Sequence, residues 1–350
     1  MRSWIEISRS AIRDNFRAVR EAVEPSIEVM PVVKADAYRH GAIEVSRILE
    51  TEGVRWLAVS NVEEGIALRE AGIGARILVM ADYLPENRPF FKEFHLTPVI
   101  HSLEDVATAD VPYHLKIDSG MGRLGVRNTP EEIAKVVKAT ELEGLMTHFA
   151  SSANYESQQT EEQIARFESV IKAIGAPRYV HLSSTIPVAY QRREAWGNLV
   201  RPGHAIYGYI SPSRKGPSMN LRVKPALTWK ATVLSVKDLE AGALIGYEGI
   251  HQATKPMRIA ILAAGYADGL PHRLSNRGRV LAKGIFLPIV GAVSMDLTTI
   301  DATSSDLKVG DAVTLLGPQN DAQEIARVAG TISYSVLCGI SARVRRVYVE

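Results

Sequence analysis

Short apolar runs alternate with helical patterns along residues 27–208. The length and composition of each run suit a strand that is buried on both faces. Between the runs, apolar residues recur every three or four positions, which is the spacing of amphipathic helices. The eight runs predicted to be strands are VMPVVKA (29–35), WLAVSN (56–61), ILVMA (77–81), LTPVIHS (96–102), YHLKID (113–118), GLMTHF (144–149), YVHLSS (179–184) and LVRPGHAIYG (199–208).

Buried strands that alternate with helices predict a parallel sheet of the α/β class. Eight units favour a closed (β/α)8, TIM-like barrel, with an open doubly wound sheet as the alternative. A barrel carries its function at the C-terminal ends of its strands, and polar side chains lie at those ends here. They are Lys34, Asn61, His101, Lys116, Asp118, His148, Ser183, Ser184 and Arg201.

The pattern changes after Ser211–Ser218, a linker by its composition. Beyond it, β-branched runs are separated by Gly, Pro and Asp turns, and only residues 322–330 and a few that follow have a helical pattern. We therefore predict a cofactor-binding α/β barrel over residues 9–222 and a mostly β C-terminal domain over residues 223–350. Residues 1–8 are predicted to form a strand that joins the β domain.

Composition narrows the class of protein. Of the 350 residues, 46% are hydrophobic and 23% charged, as in soluble globular proteins. The net charge of +2 is spread along the chain and does not support a nucleic-acid or membrane-surface partner. Cys338 is the only cysteine, which indicates a reducing compartment, and charges interrupt the first residues where a signal peptide would be apolar. We expect a cytoplasmic protein.

Lys34 closes an apolar run and is flanked by small residues. It could be an exposed lysine, half of a buried ion pair, or a nucleophile for a carbonyl group. At the functional end of a barrel the third interpretation points to pyridoxal 5'-phosphate. That cofactor also needs a phosphate site, which Ser183–Ser184 and Gly203–His204 could supply at the last two strands. Ser183–Thr185 could equally be a helix N-cap. We assign no residue to a metal ion.

The segment GMGRLG, residues 120–125, matches a dinucleotide-binding pattern. The next helical pattern begins only near Pro130, and the segment follows the fifth strand instead of the first. A glycine-lined loop that brings Arg123 near a ligand explains the residues better. The pattern therefore gives little support to an NAD-dependent enzyme.

Seven segments, in order and spanning nearly the whole chain, resemble motifs of the bacterial alanine racemases. These are pyridoxal-phosphate enzymes with an eightfold barrel and a C-terminal β domain, and the resemblance implies the same architecture here. The segments are VVKADAYRHG, HLKIDSGMGRLG, THFASS, NLVRPGHAIYG, IGYEG, AAGYADGLPHR and GAVSMD.

The resemblance implies that Lys34 binds the cofactor and that Lys34 and Tyr247 are the two acid–base residues, with Tyr247 supplied by the other subunit of a homodimer. Arg201 would pair with the pyridine nitrogen and His148 would hold that arginine. The phosphate would be bound by Tyr38, Ser184, Gly203 and His204. Substrate contacts would come from Arg123, Met295 and Tyr266, and Lys116 matches a lysine that is carbamylated in some members.

The implied activity is the interconversion of L- and D-alanine, which supplies D-alanine for cell-wall peptidoglycan. Two groups on opposite faces of one carbon suit racemisation, and an arginine at the pyridine nitrogen disfavours transamination. The alternatives are a serine or broad-specificity amino-acid racemase, a non-catalytic pyridoxal-phosphate carrier, and a fold-related decarboxylase. Five residues depart from the family pattern. They are Asp36, Arg39, Ser183, His204 and Ala342.

Overall fold

The computed structural model describes every residue, Met1–Glu350, and contacts within the chain divide it into two compact units. The first unit, called here the barrel unit, comprises Ala11–Ala37 and Gly41–Lys224. The second, called here the β unit, comprises Met1–Ser10, Tyr38–His40 and Pro225–Glu350. The short segment Tyr38–His40 thus packs with residues that lie far from it in the sequence.

The first strand, β1 (Ser3–Ser8), belongs to the β unit, and the next eight strands form the centre of the barrel unit. These are β2 (Glu28–Val29), β3 (Trp56–Val59), β4 (Arg76–Val79), β5 (Leu96–Ile100), β6 (Tyr113–Lys116), β7 (Leu142–Met146), β8 (Tyr179–His181) and β9 (Leu199–Val200). Each overlaps one of the eight apolar runs. Most of their residues are buried and the rest are half-buried, as the apolar character of the runs requires.

Hydrogen bonds close these strands into a ring. Strands β3 to β8 pair in parallel in sequence order, and β2 pairs with β9. A parallel bridge joins Val32, just after β2, to Ala58 in β3. The Arg201 amide, just after β9, donates to the Ser183 carbonyl, just after β8, at 2.9 Å. The predicted (β/α)8 barrel is confirmed, and the open sheet is wrong.

Eight helices precede or follow these strands. They are α1 (Arg9–Ala22), α2 (Ala42–Thr51), α3 (Val62–Glu70), α4 (Arg88–Glu93), α5 (Leu103–Val106), α6 (Pro130–Val137), α7 (Gln159–Ile174) and α8 (Thr185–Ala189). Their starts follow from the sequence. Asn61 and Ser102 cap α3 and α5, and Thr129 with Glu132 forms a reciprocal capping box at α6.

The β unit is built on one large sheet that includes the first strand of the chain. The other strands of the β unit are β10 (Leu227–Leu239), β11 (Leu244–Ile245), β12 (His251–Gln252), β13 (Met257–Leu262), β14 (Arg279–Ala282), β15 (Ile285–Pro288), β16 (Thr298–Asp301), β17 (Ala312–Leu316) and β18 (Arg345–Val349). Of these, β11 and β12 form a separate two-stranded sheet. Along the main path the sheet order is β15-β14-β17-β10-β1-β18. Strand β1 is antiparallel to β10 and parallel to β18, so it lies inside the sheet.

Two short helices complete the β unit: α9 (Ala322–Ala329) and α10 (Ser333–Cys338). Asp321 caps α9 by accepting from the amides of Gln323 and Glu324, and Gly330 ends that helix in the left-handed conformation. The mostly β character predicted for this part of the chain is confirmed. None of the helices in the protein combines the length and apolarity that a bilayer crossing requires.

Candidate active site

The chain forms a left-handed turn directly after Lys34. Five consecutive non-glycine residues, Ala35 to Arg39, have positive φ angles between 52° and 69°. L-residues rarely adopt this region, because Cβ approaches the next carbonyl oxygen, at a cost of roughly 1 kcal/mol per residue. Such strain persists only where the surrounding structure enforces it, and it concentrates at functional sites. The turn lies at the C-terminal end of the barrel, where the sequence predicts function.

Backbone hydrogen bonds fix the segment that leads into Lys34. The amide of Val32 donates to the Pro202 carbonyl at 2.9 Å, and that of Val33 donates to the Ala58 carbonyl at 2.8 Å. The extended segment is thereby held between its two neighbouring strands. Lys34 follows at the rim of the barrel.

Five basic residues of the barrel unit share one neighbourhood. Burial, followed by the charges of Arg123, Arg201 and Lys34, lowers the pKa of the Lys116 ammonium to about 8. Burial and then these positive charges, that of Lys116 included, lower the pKa of the His148 imidazole to about 3. His148 is therefore neutral at pH 7. The barrel unit thus brings together Lys34, Lys116, Arg123, His148 and Arg201, a set suited to an anionic ligand.

Arg201 is buried, and acceptors surround the end of its side chain. Nη1 donates to Nδ1 of His181 at 2.8 Å and to the His181 carbonyl at 2.7 Å. Nη2 donates to the carbonyls of Thr147 at 2.7 Å and Leu182 at 3.1 Å. Burial lowers the pKa of Arg201 to about 9, so it stays charged at pH 7. Because both terminal nitrogens have two acceptors, Nε–H is the donor left for a ligand.

His148 does not hold Arg201 as the resemblance implies; His181 does. The arginine can only donate, so Nδ1 of His181 accepts and Nε2–H donates to Nδ1 of His114 at 2.7 Å. Nε2 of His114 lies 3.9 Å from Glu143, whose carboxylate forms a two-bond ion pair with Arg76. A buried chain of polar groups therefore runs from Arg201 through the barrel. His181 ends β8 and Arg201 follows the neighbouring strand β9, which brings their side chains together.

The three hydroxyl side chains that follow β8 have different hydrogen-bond partners. Ser183 donates to the Ala195 carbonyl at 2.6 Å, and Ser184 is the residue before α8 without a capping bond from its side chain. Thr185 Oγ1 accepts from the amides of Gly203 at 3.2 Å and Ala205 at 3.3 Å. Thr185 is a candidate that the sequence interpretation missed, although a third hydroxyl after Ser183–Ser184 was a visible signal. The His204 ring stacks on Tyr209, with centroids 5.1 Å apart.

Asp118 organises the glycine-rich loop that carries Arg123. Its Oδ1 accepts from three successive amides, those of Gly120 at 3.2 Å, Met121 at 2.9 Å and Gly122 at 3.0 Å. Burial acts to raise the pKa of Asp118, but the hydrogen bonds from these amides outweigh it and the pKa is lowered. A Cβ on Gly125 would lie 2.5 Å from the Asp118 amide nitrogen, so this turn requires glycine. The loop presents an arginine and does not open a helix.

The remaining candidates lie in the β unit. Tyr247 is 73% exposed, at the tip of the turn between β11 and β12. Tyr266 is 45% exposed and Met295 54% exposed. Their backbones are adjacent, since the Tyr266 amide donates to the Ser294 carbonyl at 2.9 Å. The Tyr38 ring is buried, with its centroid 5.9 Å from that of Tyr334.

Comparison with known proteins decides the family. The model of the alanine racemase N-terminal domain matches residues 7–212, and that of the alanine racemase C-terminal domain matches residues 226–348. The chain belongs to the alanine racemase family.

Individual members of the alanine racemase family are similar over their full length. The alanine racemase of Halothermothrix orenii is 38% identical, with 99% of this chain and 96% of the relative covered. The solved alanine racemase of Clostridium difficile 630 superposes with a TM-score of 0.94 at 33% identity, covering 100% of this chain and 96% of that one. An alanine racemase from Bartonella henselae, solved with covalently bound pyridoxal phosphate, has a TM-score of 0.89 at 27% identity, with both chains fully covered.

Three departures from the alanine racemase pattern have structural partners. Asp36 Oδ1 accepts from the Ala42 amide at 2.8 Å, at the start of α2. Arg39 Nε donates to the Cys338 carbonyl at 3.3 Å inside the β unit. Ser183, as described, bonds to a backbone carbonyl. These contacts explain the three residues by local structure.

Proposed function

We propose that the protein is an alanine racemase that interconverts L- and D-alanine with pyridoxal 5'-phosphate. The observation that carries the proposal is the cationic cluster around Lys34, together with the single remaining donor of the buried Arg201. Family membership gives the reaction class, a pyridoxal-phosphate-dependent isomerase. We further propose that the product D-alanine serves peptidoglycan synthesis in the cytoplasm.

The residues present fit the cofactor. One N–H of Arg201 matches a ring nitrogen that can accept one hydrogen bond. The amides of Gly203 and His204, with the hydroxyls of Ser184 and Thr185, would bind the phosphate, and Tyr38 would add its phenol. An arginine at the ring nitrogen carries a fixed positive charge and keeps the nitrogen an acceptor. This favours return of the proton to the α-carbon over side reactions.

The cofactor, when bound through Lys34, would withdraw electrons and so acidify the α-hydrogen of the substrate. Lys34 would move the proton on one face of the α-carbon and Tyr247 on the other. Arg123 would bind the substrate carboxylate, and Lys116 would lie beside Arg123, whether or not it is carbamylated. His148 is neutral at pH 7 and would add no charge to this set.

The exposure of Tyr247 supports a homodimer. We propose that Tyr247, Met295 and Tyr266 of one copy complete the site of a second copy, which explains why an active-site tyrosine is 73% exposed within its own chain. Each site of the dimer would then combine one proposed domain of one copy, residues 9–222, with the other proposed domain of the second copy, residues 223–350 with strand 1–8.

The substrate preference is tested by exchange in deuterated water. The purified protein, loaded with pyridoxal phosphate, is incubated with a panel of L- and D-amino acids. We expect racemisation and incorporation of deuterium at the α-carbon to be fastest for alanine. Serine or several amino acids reacting as fast would favour the broad-specificity alternative, for which Ala342 leaves more room than the tyrosine of some members. Absence of exchange with every amino acid would refute the racemase.

A further inference from the structure

The left-handed turn after Lys34 needs a restraint, and one carboxylate supplies it. Oε1 of Glu64 accepts from the Ala35 amide at 2.6 Å, and Oε2 accepts from the Ser60 amide at 2.7 Å. Ala35 is the first residue of the turn, and Ser60 follows strand β3. Both oxygens of one side chain thus tie the turn to the neighbouring strand of the barrel.

Glu64 is itself held in place. It lies in the first turn of α3, where the helix dipole favours a negative charge. Its own amide donates to Oδ1 of Asn61, the residue that caps α3, at 3.0 Å. The carboxylate therefore extends from a fixed helix start and is half-buried. Charge-assisted bonds of this length are stronger than neutral ones.

Hydrogen bonds on both sides of Lys34 fix the position of its backbone. Before it, the Val33 amide donates to the Ala58 carbonyl at 2.8 Å. After it, the Ala35 amide donates to Glu64, and the far end of the turn is closed by Asp36, which accepts from Ala42 at 2.8 Å. The Cα of Lys34 is therefore fixed between two anchored amides. Because φ of Ala35 is 52°, loss of its anchor would let the chain relax to a commoner conformation.

We propose that Glu64 is a positioning residue that holds the start of the left-handed turn, and with it the adjoining backbone of Lys34, while Asp36 closes the other end. The proposal rests on the proposed function in one respect: the racemase mechanism is what makes Lys34 the cofactor-binding and acid–base residue. A carboxylate is required because it has two acceptor oxygens, whereas a glutamine would set one of its own N–H groups against a backbone N–H.

The test compares Glu64→Gln with Glu63→Gln. Glu63 is exposed in the same helix turn, so its variant also removes one negative charge from the end of the helix where the dipole favours it. In the apoprotein, amide hydrogen exchange should be about tenfold or more faster at Ala35 and Ser60 in Glu64→Gln, as expected for loss of a charge-assisted bond, and unchanged in Glu63→Gln. In the holoenzyme, kcat should fall about tenfold to a hundredfold with KM changed less, since misplacement of a reacting group by about 1 Å can cost that much.

The outcomes distinguish a failure of the Glu64 proposal from a failure of the proposed racemase activity. Unchanged exchange at Ala35 in Glu64→Gln would overturn it. Faster exchange with unchanged kcat, and unchanged borohydride fixation of the cofactor on Lys34, would reduce Glu64 to a structural residue and also overturn it. If Glu64→Gln does not fold, Glu64→Asp keeps the charge but is too short to reach both amides, and the same measurements apply. A wild-type protein without racemase activity contradicts the proposed function, while the apoprotein exchange still tests Glu64.

Discussion

In the barrel unit most of the basic candidate residues are buried or half-buried, whereas in the β unit several candidate residues are exposed and neutral. Arg201 and Lys116 are buried and carry lowered pKa values. Tyr247, Tyr266 and Met295 stand at turns, with about half or more of each side chain exposed. Arg201 is positioned by hydrogen bonds within its own unit. Tyr247, Tyr266 and Met295 have exposed surfaces that the second copy in the proposed dimer would cover, so we expect the two groups to respond differently to substitution.

The largest effect is expected for Lys34→Ala. Racemisation should fall by about 10⁴-fold or more, because the variant loses both the covalent link to the cofactor and one acid–base group. Treatment with borohydride followed by mass spectrometry should place the cofactor on Lys34 in the wild type and nowhere in the variant. The exposed Lys135→Ala serves as the control. Retained activity in Lys34→Ala would contradict the role of Lys34 as the cofactor-binding and acid–base residue.

Tyr247→Phe should separate the two faces of the α-carbon. We expect exchange of the α-hydrogen of L-alanine with deuterated water to slow by about 10²-fold or more, while D-alanine exchanges nearly as before. Net racemisation cannot show this split, because the two enantiomers are equally stable and both directions must slow together. Equal loss of exchange from both enantiomers would contradict the division of roles.

Mixing subunits tests whether the two units act across a dimer. Lys34→Ala and Tyr247→Ala should each be inactive, yet their mixture after subunit exchange should regain about a quarter of wild-type activity. Random pairing gives half of the dimers one chain of each kind, and each such dimer has one intact site of two. A double variant carrying both changes in one chain is the control. No recovery, with exchange verified, would show that each site is built from one chain.

A smaller effect is expected for the pH dependence of stability, to which Lys116 contributes. Its pKa is about 8 in the folded protein, where burial is the largest cause, against 10.5 for the unperturbed group. Below pH 8 the lysine is charged in both states and its burial destabilises the fold. Between pH 8 and pH 10 the folded protein releases this proton while the unfolded chain keeps it, so stability rises. Relative to Lys116→Gln, the free energy of unfolding of the wild type should gain about 2 kcal/mol over this interval, measured by urea titration. A constant difference would contradict the lowered pKa.

The smallest effect distinguishes the hydroxyls after β8. Thr185→Ala should weaken pyridoxal phosphate binding by about tenfold, because it removes a hydroxyl beside the Gly203 and Ala205 amides. Ser183→Ala should leave binding nearly unchanged and lower the free energy of unfolding by about 1 kcal/mol through loss of its bond to Ala195. Equal effects of the two changes on cofactor titration would argue against this assignment.

The barrel was predictable because its strands are apolar along their whole length and their spacing is regular. The same pattern located Lys34 and Arg201 at strand ends. The left-handed turn was not predictable, since it uses Ala, Asp, Tyr and Arg in a conformation that favours glycine, and Glu64 enforces it from a distant segment. The partner of Arg201 was misjudged because adjacency of β8 and β9 decides it, and sequence spacing does not report which histidine lies nearer.

Strand β1 has a consequence for how the protein is made. Its six residues precede the barrel unit in the chain, yet their partners follow it: β10, from Leu227, and β18, which ends at Val349. During translation the partner β10 becomes available only after the whole barrel unit has emerged from the ribosome, and the partner β18 only after most of the β unit has emerged as well. Pairing across such a distance in sequence is slow. A nascent chain stalled before Arg345 should therefore have a completed barrel and an unfinished sheet, the stage at which it would be most exposed to chaperones and to aggregation.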